Sequence, residues 1–374
     1  MTTPRKPRAL FLSPEAPVAG AGGGGLRSAS LLEYLRAKYD VQVFSFTLPH
    51  HSKSTIARAW RNGWRFLRGV PPLLDRFSGF EAQLASVLDR HYDLAVIEHF
   101  WCAPYARALR PHCDRLVLDL HNIESRLAET HARATPNLES IAMRRFAAAY
   151  RRLEREWLPQ FDLLLVTSGD DRRRVNHPNA VVYPNALPEI PRPASLSTNV
   201  AESHSIIFSG NLEYHPNVEA VRWFAAQIWP RIRDRAPGLT CTLAGRNEHA
   251  VRAIVAASAG ITLTGPIDDA IATLAGAKVC VVPLLSGSGT RFKILEAWAA
   301  ARAVVSTTLG AEGLGAVDGQ HLLIADDAAS FANAVVRLLD DSALRRRLGD
   351  AGRALYLDRF TWPAAWRALE TAGI

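Results

Sequence analysis

Arg291, Lys293 and Glu296 crowd the start of one apolar helical pattern, directly after a glycine- and serine-rich loop, in "SGSGTRFKILEAWA" (Ser286–Ala299). Cations in a first helical turn are opposed by the macrodipole, typically by about 0.3–1 kcal/mol. A bound anion reverses that preference. Backbone N–H groups from Ser286–Thr290, including Ser288, Gly289 and Thr290, and from the helix start supply donors beside the two cations, which together suit a diphosphate. Glu296 follows Lys293 by one helical turn on the same face, where a carboxylate can accept two hydrogen bonds from ribose hydroxyls. The plainer alternative is a surface helix with a Lys293–Glu296 pair.

A second group lies earlier. Glu98 and His99 end one apolar run, and His121, Asn122 and Glu124 follow another in "DLHNIES" (Asp119–Ser125). The carboxyl ends of parallel strands border the ligand crevice in open α/β sheets. On its residues alone, His121 is open to a structural or a catalytic role. Five glycines among the residues Gly20–Gly25 raise a third question, namely what approaches that backbone. They match a dinucleotide-binding G-x-G-x-x-G, but Pro14–Ala19 separates them from their strand. The next strand also ends in Thr47 rather than an acidic ribose ligand.

The elements that must position these groups are two alternating series. Strand patterns fall at Arg8–Ser13, Val41–Phe46, Leu94–Glu98, Arg115–Leu120, Asp162–Thr167 and Ala180–Tyr183, with helical periodicity at Leu26–Lys38, Phe80–Arg90 and Ser140–Trp157. After a Pro-, Ser- and Asn-rich stretch the alternation restarts. Strands are expected at Ser205–Ser209, Leu239–Ala244, Ile261–Leu263, Lys278–Pro283, Ala303–Thr307 and His321–Ile324, and helices at Val218–Asp234, Arg291–Ala301 and Ala328–Asp340. Such alternation implies parallel, doubly wound sheets. The expected organisation is an N-terminal Rossmann-like domain at 1–186, a linker at 187–204, a second α/β domain at 205–358, and a C-terminal helix at 359–374 packing back on the first domain. Sites in such pairs of domains are expected between them.

Composition narrows the class. The 374 residues suffice for two cores, and 48% hydrophobic with 21% charged residues is ordinary for a soluble globular chain. Ala9–Ser13 is too short for a signal-peptide core, and no apolar run approaches the roughly 20 residues that span a bilayer. Cys102, Cys113, Cys241 and Cys280 are widely spaced and read as buried thiols in a reducing compartment. A net charge of +8 calls for an anionic partner.

The segment Ser288–Ala299 resembles the donor signature of GT-B glycosyltransferases, specifically family 4, the group 1 glycosyltransferases. "DLHNIES", "FSGNLEYHPNVEAV" (Phe208–Val221) and "VVSTTLGAEGL" (Val304–Leu314) carry the resemblance over most of the chain. It implies an α/β, GT-B fold of two Rossmann-like doubly wound domains facing each other across a cleft. It also implies retaining, metal-independent transfer of a sugar from a nucleotide sugar to an acceptor hydroxyl, with no cofactor. Glu296 is implied as the ribose-holding second member of a glutamate pair separated by seven residues. Ser288 stands where the first member is usual, so sugar recognition does not carry over there. Many relatives also place Arg and Lys on the diphosphate where this chain has Asn211 and Asn217, and Arg291 with Lys293 are expected to replace them. Gly210 and Asn211 are donor-loop candidates, and His121 is implied to contact the donor sugar near the reacting carbon.

On this reading Gly24 and Gly25 belong to a loop facing the donor phosphates, while Glu98, His99, Asn122 and Glu124 are acceptor-side candidates. The rivals are a nucleotide-sugar epimerase of the same fold and a non-catalytic sugar-nucleotide-binding protein. Cell-surface polysaccharide or glycolipid synthesis is the expected setting, with no nucleic-acid partner. "TIARAWRNGWRFLRG" (Thr55–Gly69) is a basic amphipathic helix, with Arg58, Arg61, Arg65 and Arg68 recurring beside Ile56, Trp60, Trp64 and Leu67. Either its Trp face packs on the sheet, or it rests on anionic lipid at the inner face of the membrane, bringing a cytoplasmic enzyme to a lipid-linked acceptor.

Overall fold

The computed structural model describes residues 5–17, 23–48, 54–134, 138–193, 205–287 and 292–374. The chain divides into two compact units: unit 1 comprises 1–184 with 366–374, and unit 2 comprises 185–365.

Unit 1 is built on a parallel sheet of β1 (Arg8–Ser13), β2 (Asp40–Ser45), β3 (Tyr92–Glu98), β4 (Cys113–Asp119), β5 (Leu163–Val166) and β6 (Ala180–Val182), ordered β2-β1-β3-β4-β5-β6. Ala9–Leu12, Leu94–Ile97 and Leu116–Leu118 are buried without alternation, as strands covered on both faces require. The helices are α1 (Gly23–Lys38), α2 (Thr55–Arg68), α3 (Pro72–Arg76), α4 (Ala106–Leu109), α5 (Glu124–Ala134), α6 (Leu138–Trp157) and α7 (Gly169–Val175). The winding reverses between β1 and β3, and a crevice forms at the carboxyl ends of such a junction.

Two expectations are corrected here. Gly24 and Gly25 are helical, in the first turn of α1, not in a loop; Gly20–Gly22 lie outside the described residues. Nor is there a helix over Phe80–Arg90. A 3-10 turn at Glu81–Ser86 stops at Val87, whose carbonyl accepts the Tyr92 hydroxyl at 3.0 Å instead of continuing a helical ladder.

Unit 2 has a second parallel sheet of β7 (Ser205–Ser209), β8 (Thr240–Ala244), β9 (Ile261–Leu263), β10 (Val279–Val282), β11 (Ala303–Ser306) and β12 (Leu323–Ile324), ordered β12-β11-β10-β7-β8-β9. Its winding reverses between β7 and β10. Around the sheet run α8 (His215–Trp223), α9 (Trp229–Arg235), α10 (His249–Val255), α11 (Ala270–Ala275), α12 (Phe292–Ala299), α13 (Ala328–Asp340) and α14 (Ser342–Arg359), and α15 (Trp362–Thr371) follows, most of it belonging to unit 1. The single helix expected over Val218–Asp234 is interrupted by a π turn at Phe224–Ile228, where Pro230 removes a backbone donor from the ladder.

The described part of the 187–204 stretch is bound to unit 2. Leu187 bridges Thr361, Pro188 accepts the Tyr356 hydroxyl at 2.6 Å, and Ile190 accepts Arg353 at 2.9 Å. Residues 366–374 belong to unit 1, where Trp366 donates to Ser30 at 3.0 Å and the Ile374 carbonyl accepts the Tyr34 hydroxyl at 2.8 Å. All four cysteines are buried and free.

Candidate active site

In unit 1 the register that pairs Glu98 with Asp119 sets two carboxylates side by side at the carboxyl ends of β3 and β4. Both are fully buried. Arg27, projecting from α1 and also buried, donates through Nε to both Asp119 oxygens at 3.0 Å and through Nη1 to the Tyr183 carbonyl at 2.6 Å. One buried cation thus faces two buried anions, and unpaired buried charge is costly. His121 supplies the balance. Its Nε2 lies 3.3 Å from Asp119 Oδ2 and 3.4 Å from Glu98 Oε1, within ion-pair reach although not aligned as a hydrogen bond. Neither oxygen of Glu98 has a hydrogen-bond partner among the described residues.

The electrostatics follow from this placement. Burial pulls the His121 imidazole towards neutrality, but Asp119 and Glu98 outweigh it and raise its pKa. For Asp119, burial is opposed by Arg27 and His121, which hold its carboxyl below the usual range. His99, at a left-handed φ of 65°, sits with its ring 3.7 Å from that of His121 and stacks on Trp101 at 4.2 Å. Burial and the neighbouring His121 charge push His99 well below the ordinary histidine range. The two rings are therefore biased in opposite directions, His121 towards the charged form and His99 towards the neutral one. Glu124, at the start of α5, is raised to about 7, mainly by burial; Trp101 opposes the rise and Glu154 adds to it.

Glu98, Asp119 and His121 bring ligand-type atoms within 4.8 Å of one another. Arg27 already holds both Asp119 oxygens, so the arrangement suits the holding of a proton better than the binding of a cation. Gly24 of α1 lies beside His121: a Cβ added there would stand 3.6 Å from its Nδ1. That is ordinary contact, so Gly24 is not demanded by sterics. Gly25 follows it in the helix.

In unit 2, Gly210 and Asn211 follow β7 at the winding reversal, and α12 begins beyond β10. Lys293, in the first turn of α12, donates to Asn217 Oδ1 at 2.7 Å and lies 4.2 Å above the Phe208 ring. Asn217 in turn donates to the Asn211 carbonyl at 2.7 Å, and Asn247 donates to Asn211 Oδ1 at 3.0 Å. Gly210, Asn211, Asn217 and Lys293 therefore form one connected group. Gly245, at φ 143°, is required by close approach: a Cβ there would meet the Gly210 carbonyl oxygen at 1.8 Å. Glu296 stands half-buried one turn beyond Lys293; burial raises its carboxyl and Lys293 opposes the rise. Ser286, fully buried, donates to Glu219 at 2.5 Å and fixes the start of the following loop.

Ser288, Gly289, Thr290 and Arg291 lie outside the described residues. Of the acceptor-side candidates, Glu98 is sealed beneath His121 instead of facing a substrate, Glu124 is buried, and Asn122 and His99 are half-buried. The sequence reading missed Arg27, Trp101 and Asn247. Arg27 reads from its spacing as part of a solvated helix face; only the acidic ends of β3 and β4 signal a need for a buried cation.

Residues 203–341 match the family model described as "Glycosyl transferases group 1". A Klebsiella pneumoniae protein named "Uncharacterized 44.6 kDa protein in cps region" is 27% identical over 184 residues, 47% of this chain and 47% of that protein. A phosphatidyl-myo-inositol mannosyltransferase of Mycobacterium leprae is 36% identical over 106 residues, 27% of this chain and 28% of that protein. The chain thus spans less than half the length of these curated relatives. Among solved structures, sucrose-phosphate synthase from Thermosynechococcus elongatus superposes with a TM-score of 0.72 at 20% identity, covering 99% of this chain and 98% of the other. Anabaena HepE in complex with UDP-glucose superposes with a TM-score of 0.65 at 14% identity, covering 98% and 99%. The two parallel sheets are those of the GT-B fold.

Proposed function

We propose that this chain, whose residues 203–341 match the group 1 glycosyltransferase family, moves a hexosyl group from a nucleotide sugar to an acceptor hydroxyl with retention of anomeric configuration. The observation that carries the proposal is the connected group Gly210, Asn211, Asn217 and Lys293 at the winding reversal of unit 2, with Glu296 one turn on. The ammonium of Lys293 sits within 3.2 Å of the space that a Gly210 side chain would fill. It is placed to neutralise a diphosphate seated on that backbone, and Arg291 is assigned as its second cation. Glu296 receives the ribose hydroxyls. A UDP-sugar is the preferred donor class, supported by the UDP-glucose in the HepE structure.

In the transfer, the bond between the anomeric carbon and the diphosphate oxygen breaks, and a bond to the acceptor oxygen forms on the same face. The acceptor proton passes to the departing phosphate oxygen, so no separate general base is assigned. Neutralisation of the leaving group by Lys293 and Arg291 supplies most of the stabilisation, without a metal. His121, whose pKa Asp119 and Glu98 raise, is assigned to the donor sugar, orienting it and stabilising charge as it develops. The charge and the exposed face of α2, where Trp60, Trp64 and Leu67 are 75%, 55% and 67% accessible, support an acceptor at an anionic membrane surface. The lipid named in the mannosyltransferase relative supports a lipid-linked acceptor, and the cps-region relative supports surface polysaccharide synthesis.

The test is a panel of nucleotide sugars followed by thermal shift and then by product analysis. UDP and at least one UDP-sugar should raise the unfolding temperature by mass action, and the same sugar should be transferred or slowly hydrolysed with release of UDP. An epimerised nucleotide sugar as the product, or binding without turnover, would overturn the assignment.

A further inference from the structure

Unit 1 contains a cavity of about 530 Å³, lined from α5, α6 and α7 and sharing only Asn122 with the candidate residues above. Its volume is in the range of small-molecule sites, about 300–1,000 Å³. Leu120, Ile123, Leu158 and Val175 line it with apolar surface. The rest of its lining includes Arg126, Arg151, Arg155 and Arg174, with His177.

Only two acids, Glu129 and Glu154, stand against these cations in the lining, and both are engaged. Glu129 pairs with Arg151. Glu154 accepts the backbone N–H and the hydroxyl of Ser125 at 2.9 and 2.6 Å. Burial raises the Glu154 carboxyl despite Ser125 and Arg151, which weakens it further as a counter-charge. The cavity therefore holds more positive charge than its own acids neutralise. Planar guanidinium forks around an apolar floor are complementary to a phosphate carried on a small organic body.

We propose that this cavity is a binding site for an organic phosphate monoester, separate from the diphosphate of the donor. The phosphate is held by Arg155 and Arg174, and the organic body rests against Leu120, Ile123 and Leu158. The inference stands on unit 1 alone and does not depend on how unit 2 binds a nucleotide.

Phenyl phosphate is the probe. It is titrated calorimetrically into the full chain in saturating UDP, so that any diphosphate site is already filled. The wild type should bind it with an affinity that falls as salt rises, and the Arg155→Gln/Arg174→Gln variant should bind at least about tenfold more weakly. Both arginines are exposed, so the variant should unfold at the same temperature as the wild type. Absence of binding by the wild type, or equal binding by the correctly folded variant, would overturn the proposal. UDP affinity, measured separately on both proteins, reports on the glycosyltransferase reading and leaves this one untouched.

Discussion

In the proposed mechanism Glu98 acts through His121: it is sealed from solvent and its Oε1 lies 3.4 Å from that imidazole's Nε2. Replacing it by Gln removes one of the two charges that raise the His121 pKa. The basic limb of the kcat profile should move to lower pH, while UDP affinity stays unchanged. A profile that does not move would leave Glu98 a packing group only. At the donor end, Glu296→Ala removes charge-assisted bonds to the ribose, each worth roughly 1.5–3 kcal/mol. UDP should bind at least about tenfold more weakly by calorimetry, and equal affinity would remove Glu296 from the site. Glu124 gives a stability test with a definite sign. Its folded pKa, raised from 4.5 to about 7, means that the folded state resists ionisation. Stability is therefore lost as pH rises from the unfolded value through the folded one, by about 1.4 kcal/mol per unit and on the order of 3 kcal/mol in all. Glu124→Gln should raise the unfolding temperature at pH 8 and change it little at pH 4; an equal effect at both would contradict the assignment.

Helix α2 shows how an element can be anchored without burying its apolar face. Arg145 of α6 donates to the carbonyls of Phe66 and Leu67 at 2.7 and 3.0 Å, Arg65 pairs with Asp75 at 2.8 Å, and Gly69 caps the helix in the left-handed region. The backbone at its end is thus fixed, yet Trp60, Trp64 and Leu67 remain in solvent. The expectation that its Trp face packs on the sheet is not met. The periodicity specifies a face but not its partner, so the sequence left two readings open. The proposed lipid surface is tested on these exposed tryptophans and the arginines beside them. The side chain of Arg58 lies outside the described residues, so the test uses the other positions. Wild type should co-sediment with vesicles containing anionic phosphatidylserine and be released by salt. Trp60→Ser/Trp64→Ser and Arg61→Gln/Arg68→Gln should each bind several-fold more weakly. No binding at low salt would leave a soluble acceptor as the better reading. Among the described residues no helix is long and apolar enough to cross a membrane.

Across the whole chain, what could be read in advance tracks how local each physical signal is. The strands were legible because fully covered parallel strands need uninterrupted apolar runs such as Ala9–Leu12 and Val279–Val282. The placement of Lys293 and Glu296 one turn apart on α12 was legible because the helical period sets their spacing. The helical start at Gly23 was not, because glycine disfavours a helix by about 1 kcal/mol relative to alanine and tertiary packing must overcome that. Nor was Arg27, whose meaning comes from Asp119, ninety-two positions away. The central claim is that this molecule cleaves a nucleotide sugar with its unit 2 loop and α12 holding the diphosphate. Proton NMR of a UDP-hexose panel incubated with the enzyme tests it most directly. With one donor, UDP should appear together with free or transferred sugar whose first-formed anomer matches the donor, in the presence of EDTA, and Lys293→Met should abolish the release. No UDP from any nucleotide sugar, an inverted first-formed anomer, or unimpaired release by the Lys293 variant would contradict the account.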